Sequence, residues 1–450
     1  MKKIVQFIKT NKRLVFAYSI SISIQIIFII GFIVYNLTSQ IPQNSLVYEF
    51  FRVSLEPYQD YQIWYKSFVD NFVYKDWVPY SFSFPDIELY TDWFSYLWDL
   101  FVDIRYYYYI YPPFFLYILS LPGIFHLNLI FIPLLAATNL LPIVLYKFLS
   151  NSFNKKIAEW GFLATSLCPI LIFYNGGLLL NTSLVSLFFI ITLYLISTQK
   201  FKAACIFLSI SFLFKQIILF FILPALTYMI LQSCKREENK FVFKYFKKLL
   251  LYSSIIIGTV FLGSLPWIFI NPYRYFNSIF LTQSIRFNPV FIAPHHNTPV
   301  HWYSFLIVID SPYWFLYIVG FLTFTSIGIL ITEILVVVLM YYWYSNDKLN
   351  WVKFLDIIVY VAVLSHLLFP RGVYKYYFTF HVPLIILWLA YHYYEALTTN
   401  SNKNLRLLGY FVIISLAIIL IPRFYYLLLI WTVLILIIRK SLNEQKKIET

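Results

Sequence analysis

A chain of 450 residues that is 61% hydrophobic and only 12% charged is not an ordinary soluble domain, in which about a quarter of residues carry charge. Its apolar runs repeatedly reach the roughly 18 residues needed to cross a hydrocarbon core of about 30 Å, which is the pattern of an all-α polytopic membrane protein. The formal charge of +14 does not point to nucleic acid, because Lys and Arg fall in the short segments between apolar runs, as the positive-inside rule requires.

The N-terminal residues Lys2, Lys3, Lys9, Lys12 and Arg13 precede a first span at 14–35. That run is too long for a signal-peptide core and lacks a small-residue cleavage site, so it reads as an uncleaved span with its N-terminus inside. A long polar and aromatic loop follows, over 36–127. Its acids are Glu49, Glu56, Asp60, Asp70, Asp76, Asp86, Glu88, Asp92, Asp99 and Asp103, against Arg52, Lys66, Lys75 and Arg105 alone. The shortage of Lys and Arg places the loop outside. The loop closes on an apolar segment, 112–125, too short to cross. Pro112 and Pro113 suit the first turn of a juxtamembrane helix.

Eleven further spans then alternate. They lie at 128–149, 158–174, 181–198, 202–214, 217–232, 249–270, 313–343, 355–369, 378–395, 407–421 and 424–438. The basic residues Lys147, Lys155, Lys156, Lys200, Lys202, Lys235, Arg236, Lys240, Lys244, Lys247, Lys248, Lys348, Lys353, Lys403, Arg406, Arg439 and Lys440 all fall on one side, with both termini. Counting 112–125 as a span would move several basic loops outside. A second outer loop covers 271–311, and 396–450 forms a C-terminal hairpin and tail. The whole reads as a single membrane domain of about twelve helices.

Among the cations that break the rule, Lys215, Arg371 and Lys375 sit at the outer ends of spans. A cation there either snorkels or binds an anion, and lipid phosphate is the obvious one. Asp60 lies among Tyr58, Tyr61, Trp64 and Tyr65. It is either a solvated loop acid or a carboxylate in a partly dry pocket, able to take a proton from an attacking hydroxyl, with flat rings for stacking on sugars. On their own, the run Tyr106 to Tyr109 fits an interfacial aromatic belt and Tyr111-Pro112-Pro113 a rigid entry to a helix. The second loop holds His295, His296 and His301. Their spacing, with no cysteine nearby, does not match a closed zinc site, and a sugar-facing loop fits better. Cys168, Cys205 and Cys234 form no framework. There is no nucleotide-binding Gly-Lys-Ser/Thr or GxGxxG motif. Asn36-Leu37-Thr38 and Asn181-Thr182-Ser183 match glycosylation sequons close to the membrane.

The order of these landmarks over 14–395 resembles the GT-C superfamily of integral membrane glycosyltransferases. It runs from Asp60-Tyr61 with Trp64-Tyr65, through Tyr111-Pro112-Pro113 and Lys215-Gln216, to Arg371-Gly372-Val373-Tyr374-Lys375-Tyr376-Tyr377 with His381. The Tyr-Pro-Pro and Lys-Gln elements are similar to those of dolichyl-phosphate-sugar-dependent enzymes. The resemblance implies a bundle of 10 to 14 spans with two functional outer loops. It implies Asp60 as base, with Lys215, Gln216, Arg371 and Lys375 at the donor phosphate. Tyr61, Trp64, Tyr111, His295, His296 and His301 would line the sugar and acceptor sites. Many relatives carry an acid directly before Tyr-Pro-Pro, where this chain has Ile110, so a second acid, Asp99 or Asp103, is left unassigned. The loop has no Asp-x-Asp pair, which argues against a metal-dependent mechanism; the reaction expected from the resemblance is inverting, with no cofactor.

The expected activity is transfer of a hexose, mannose or glucose, from a polyprenyl-phosphate donor in the bilayer of the cell membrane. The acceptor would be an extracytoplasmic glycan, lipid or protein. A transporter or flippase, or a polymerase or ligase for lipid-linked glycans, is the alternative. Few acids lie inside spans, Glu333 and Asp356 being the notable ones, and ion-coupled transport usually needs them.

Overall fold

The computed structural model describes residues 11–38, 61, 65–75, 79, 111–234, 241–270, 272–276, 279, 312, 314, 326–368, 375–399 and 401–420. Among them every regular element is helical. In chain order these are α1 (Lys12–Thr38), α2 (Lys66–Tyr74), α3 (Pro113–Gly123) and α4 (Phe131–Ser152). Next come α5 (Lys155–Ser166), a π-helical turn (Leu171–Gly177), α6 (Thr182–Ser197), α7 (Phe201–Phe212) and α8 (Leu219–Ser233). They are followed by α9 (Phe241–Gly263), the short α10 (Trp267–Ile270) and α11 (Pro272–Phe276), and α12 (Ser326–Ser345). The last are α13 (Trp351–Leu368), α14 (Phe378–His392), α15 (Tyr394–Thr399) and α16 (Ser401–Leu420).

The centre of the bundle is α6 beside α14. Every residue of α14 from Phe378 to Ala390 is buried, and α6 is buried on nearly all sides. A helix that is apolar all round has no solvent or lipid face to offer and goes to the middle. Around this pair lie α4, α5, α7 and α13, and α1, α9, α12 and α16 turn large apolar side chains outward. Phe16, Ile27, Ile257, Leu262, Leu335 and Ile413 are among those exposed, as lipid-facing positions require.

Five helical segments among the described residues are long and apolar enough to cross a membrane: Lys12–Gly31, Leu127–Ser152, Gln216–Ser233, Lys244–Gly263 and Asn402–Leu420. The twelfth expected span and most of both outer loops lie outside the described residues. The expected third span is not one straight helix. After α5 the chain bends by 62° into the π-helical turn. Gly176 and Gly177 let that turn press on α1, where a Cβ would strike Gln25 and Phe28. The expected seventh span begins earlier than its apolar run, so Lys244, Lys247 and Lys248 ride on the first turns of α9. The segment after Tyr111 is helical over only 11 residues, about 16 Å, too short to cross. It is pinned instead, by Tyr74 Oη donating to the Gly123 carbonyl at 2.6 Å and Tyr117 Oη to the Leu265 carbonyl at 2.6 Å.

Contacts define two ends of the bundle. At one, Asn151 donates to Tyr194 Oη at 2.6 Å, and Tyr344 Oη donates to the Cys234 carbonyl at 2.7 Å. Phe153 stacks on Tyr394 there, and Phe148 packs on Trp351. Lys147, Lys155, Lys156, Lys200, Lys202, Lys348 and Lys353 border these residues in sequence, so this is the basic end. It is fastened by Asp356, which is 8% exposed. Asp356 Oδ1 accepts from Trp388 Nε1 at 2.7 Å and lies 2.7 Å from His392 Nε2; Lys353 Nζ is 3.7 Å from Oδ2.

Asp356→Ala strands an indole N–H and an imidazole between α13 and α14. The expected cost is about 3 kcal/mol, read as a lower Tm of the full chain in detergent. Asp356→Asn keeps one acceptor and is expected to recover roughly half of that loss.

Candidate functional site

At the opposite end the two central helices stop short. α14 has 15 residues and α6 has 16, about 22–24 Å, less than the hydrocarbon thickness. Their first turns meet there: Thr379 Oγ1 is 2.8 Å from Thr182 Oγ1 and 2.6 Å from the Tyr376 carbonyl. The chain also breaks there between α7 and α8, at Lys215, before the 3-10 turn Gln216–Ile218. The result is a polar floor within the apolar bundle.

Lys215 is the centre of that floor. Only 4% of it is exposed. Its ammonium donates to Asn181 Oδ1 at 3.1 Å and lies 3.7 Å from the centroid of the Tyr377 ring and 5.4 Å from that of Tyr376. A cation over an aromatic face is held by the ring quadrupole, more strongly where water is excluded. Snorkelling is therefore not what this lysine does. Next to Asn181, Thr182 Oγ1 donates to Asn175 Oδ1 at 2.7 Å, and the Asn175 carbonyl accepts from Thr138 Oγ1 at 3.3 Å. Asn175 and Asn181 are fully buried, and each keeps an Nδ2 without a hydrogen-bond partner among the described residues.

The local fold explains the position of Asn181. Between the π-helical turn and α6 the chain turns back through Leu179 at φ 58°, a region uncommon for residues other than glycine. This turn directs Asn181 inward at the start of α6. The N-termini of α6 and α14 carry the positive ends of their dipoles. They adjoin an ammonium and buried amide donors, so the floor suits an acceptor-rich, negatively charged group.

An aromatic layer covers the same end. Tyr65, 1% exposed, packs edge-on against Tyr61, Tyr111 and Phe115, with centroids 6.4, 5.9 and 4.9 Å away. Phe114, next to Phe115, meets Phe214 at 5.5 Å, and Phe214 precedes Lys215. Tyr117 stacks on Trp267 at 6.4 Å, and Phe72 meets the same indole at 5.9 Å, which brings α10 alongside. Lys66 Nζ lies 5.5 Å from the Tyr61 ring centroid, and burial lowers the pKa of this lysine below its ordinary value.

Of the residues singled out from sequence, Lys215, Gln216, Tyr61 and Tyr111 are at this end. Lys375 opens the 3-10 turn that carries Tyr376 and Tyr377, and its side chain lies outside the described part. Asp60, Trp64, Asp99, Asp103, His295, His296, His301 and Arg371 also lie outside the described residues. Tyr61 is buried in the aromatic layer, whereas Tyr111 is partly exposed. Sequence reasoning gave no role to Asn175, Asn181, Thr182, Tyr377 or Thr379. The available signal was Asn175-Gly176-Gly177 followed by Asn181-Thr182, a polar interruption between the apolar runs 158–174 and 181–198. Asn181, fully buried on Lys215, is no glycan acceptor. Among the described residues no group of three His, Cys, Asp or Glu is placed to hold a metal ion. The chain matches no protein-family model, and no curated protein matches it.

Thr182→Val keeps the shape but removes the hydroxyl between Asn175 and Thr379. A loss of about 1–3 kcal/mol is expected in thermal unfolding of the full chain. Thr192→Val, whose hydroxyl bonds only the Phe188 carbonyl of its own helix, is expected to cost less.

Proposed function

We propose that the chain is a membrane glycosyltransferase that moves a hexose from a polyprenyl-phosphate donor to an extracytoplasmic glycan, lipid or protein acceptor. The observation that carries this reading is the buried Lys215 ammonium, set among helix N-termini at the same end as Tyr61, the chain neighbour of Asp60. A donor of this kind has its hydrocarbon in the bilayer and its phosphate at the interface. A polar floor sunk below the ends of the outer helices reaches both. The basic end is assigned to the cytoplasm by the positive-inside rule, with both termini there and the polar floor facing out.

In this mechanism Asp60 accepts the proton of the acceptor hydroxyl as its oxygen attacks the anomeric carbon. The bond from that carbon to the phosphate oxygen breaks on the opposite face, so the configuration inverts. The electron pair leaves with polyprenyl phosphate, and Lys215, Gln216, Arg371 and Lys375 offset the charge that develops there. Trp64, Tyr111 and the loop with His295, His296 and His301 flank the sugar and acceptor. No metal or cofactor is assigned a step.

A second reading rests on Glu333. It lies within α12, is 7% exposed, and its Oε2 has no hydrogen-bond partner among the described residues. An intramembrane carboxylate of this kind is usual in ion-coupled transport of lipid-linked glycans. Asp356 does not support that reading, since Trp388, His392 and Lys353 occupy it.

Asp60→Asn is expected to fold and insert normally but to lose transfer of labelled sugar from a synthetic polyprenyl phosphate by roughly 10²–10⁴-fold. Asp86→Asn and Asp92→Asn are the milder controls. Near-normal turnover by Asp60→Asn would move the base to Asp99 or Asp103. Lys215→Ala and Arg371→Ala are expected to weaken use of the donor more than of the acceptor. Arg371→Lys should rescue only partly, because an ammonium lacks the planar fork. Glu333→Gln separates the two readings: transfer unchanged supports the enzyme, and loss of glycan translocation with no transfer at all supports the transporter. Single cysteines at Lys155, Lys240 and Lys348 should resist impermeant reagents added outside the cell, and labelling there would overturn the orientation.

A further inference from the structure

The flip of the Asn181 side chain follows from chemistry alone. A lysine ammonium only donates hydrogen bonds, so the Asn181 atom 3.1 Å from Lys215 Nζ is the carbonyl oxygen Oδ1. Its Nδ2 occupies the other arm of the same planar amide, about 2.3 Å from Oδ1 by covalent geometry. That NH2 is fully buried and has no acceptor among the described residues. Buried donors are nearly always satisfied in folded proteins. Two donor groups, one charged and one neutral, are thus held side by side, no more than about 5.4 Å apart. A sugar hydroxyl would bring a hydrogen needing its own acceptor at a point where the two neighbouring groups are donors. An acceptor-only group with several oxygens, a phosphate, fits both donors at once.

We propose that Asn181 is a second ligand of the phosphate. Its carbonyl oxygen aims the Lys215 ammonium, and its NH2 donates to another oxygen of the same group. The inference rests on the reading of Lys215 as the phosphate-binding cation. Tyr377 closes the arrangement by holding the ammonium from its ring face at 3.7 Å, so swinging away would cost the lysine its contacts with both Tyr377 and Asn181.

The test uses the purified full chain in phosphatidylcholine nanodiscs. Its probe is radiolabelled decaprenyl monophosphate, with decaprenol as the phosphate-free control, and thermal unfolding is followed in parallel. Wild type is expected to prefer the phosphate, and Lys215→Gln to lose that preference. Asn181→Ala should weaken phosphate binding about tenfold. Asn181→Asp is the decisive variant. It keeps the shape and pairs with Lys215, so its Tm should hold or rise. Yet it removes the NH2 and sets a carboxylate where the anion belongs, so phosphate preference should fall by roughly a hundredfold. Wild-type phosphate preference in both Asn181→Ala and Asn181→Asp overturns the inference while the Lys215 reading stands. Equal binding of decaprenyl phosphate and decaprenol by wild type overturns both.

Discussion

Burying an ammonium in an apolar bundle is expensive unless its surroundings replace water, and much of the architecture at one end follows from that demand. Lys215 needs an oxygen acceptor, which the turn before α6 brings in as Asn181. It needs polarisable faces, which the turn before α14 brings in as Tyr376 and Tyr377. It also needs a gap in helical structure, which the break between α7 and α8 provides. Three chain segments far apart in sequence are thereby held to one point.

The same demand explains why irregular backbone is tolerated at this depth. Inside a membrane, broken helices survive where neighbouring side chains take up the freed carbonyls and N–H groups. Thr138 takes the Asn175 carbonyl, and Thr379 takes that of Tyr376. Ser183 N–H and Oγ both donate to the Leu180 carbonyl. Some of the small polar residues buried along α4, α6 and α14 thus serve the breaks, while Ser186 and Thr192 bond carbonyls of their own helix.

Much of this was legible in the sequence for simple reasons. Hydropathy marks apolar helices directly, and Pro112-Pro113 opens a helix too short to cross. Lys215 and Lys375 were visible as cations on the wrong side of the charge rule. What was not legible depends on tertiary contact. The 62° bend after α5 had one local signal, Pro169 between Ser166 and Leu171, since a proline ends or kinks a helix; the close approach of Gly176 and Gly177 to α1 had none. The pairing of Asn181 with Lys215 joins residues 34 positions apart through a left-handed Leu179 that no local pattern foretells. Tyr61 seemed an open stacking surface, but the ring of Tyr65 against it made it part of the packing.

The Asp356 clamp has a mechanical meaning. Trp388 and His392 are one turn apart on the same helix, and both are held by one carboxylate oxygen. Two fixed points on successive turns set the azimuth of a rod as well as its height. Rotating α14 by even a fraction of a turn would break both, so the basic end acts as an index pin. At the far end of that rod, about 20 Å away, Thr379 touches α6, just past the turn in which Tyr377 covers the ammonium. The angular setting of the polar floor is therefore determined from the opposite end of the bundle, by residues that never touch it.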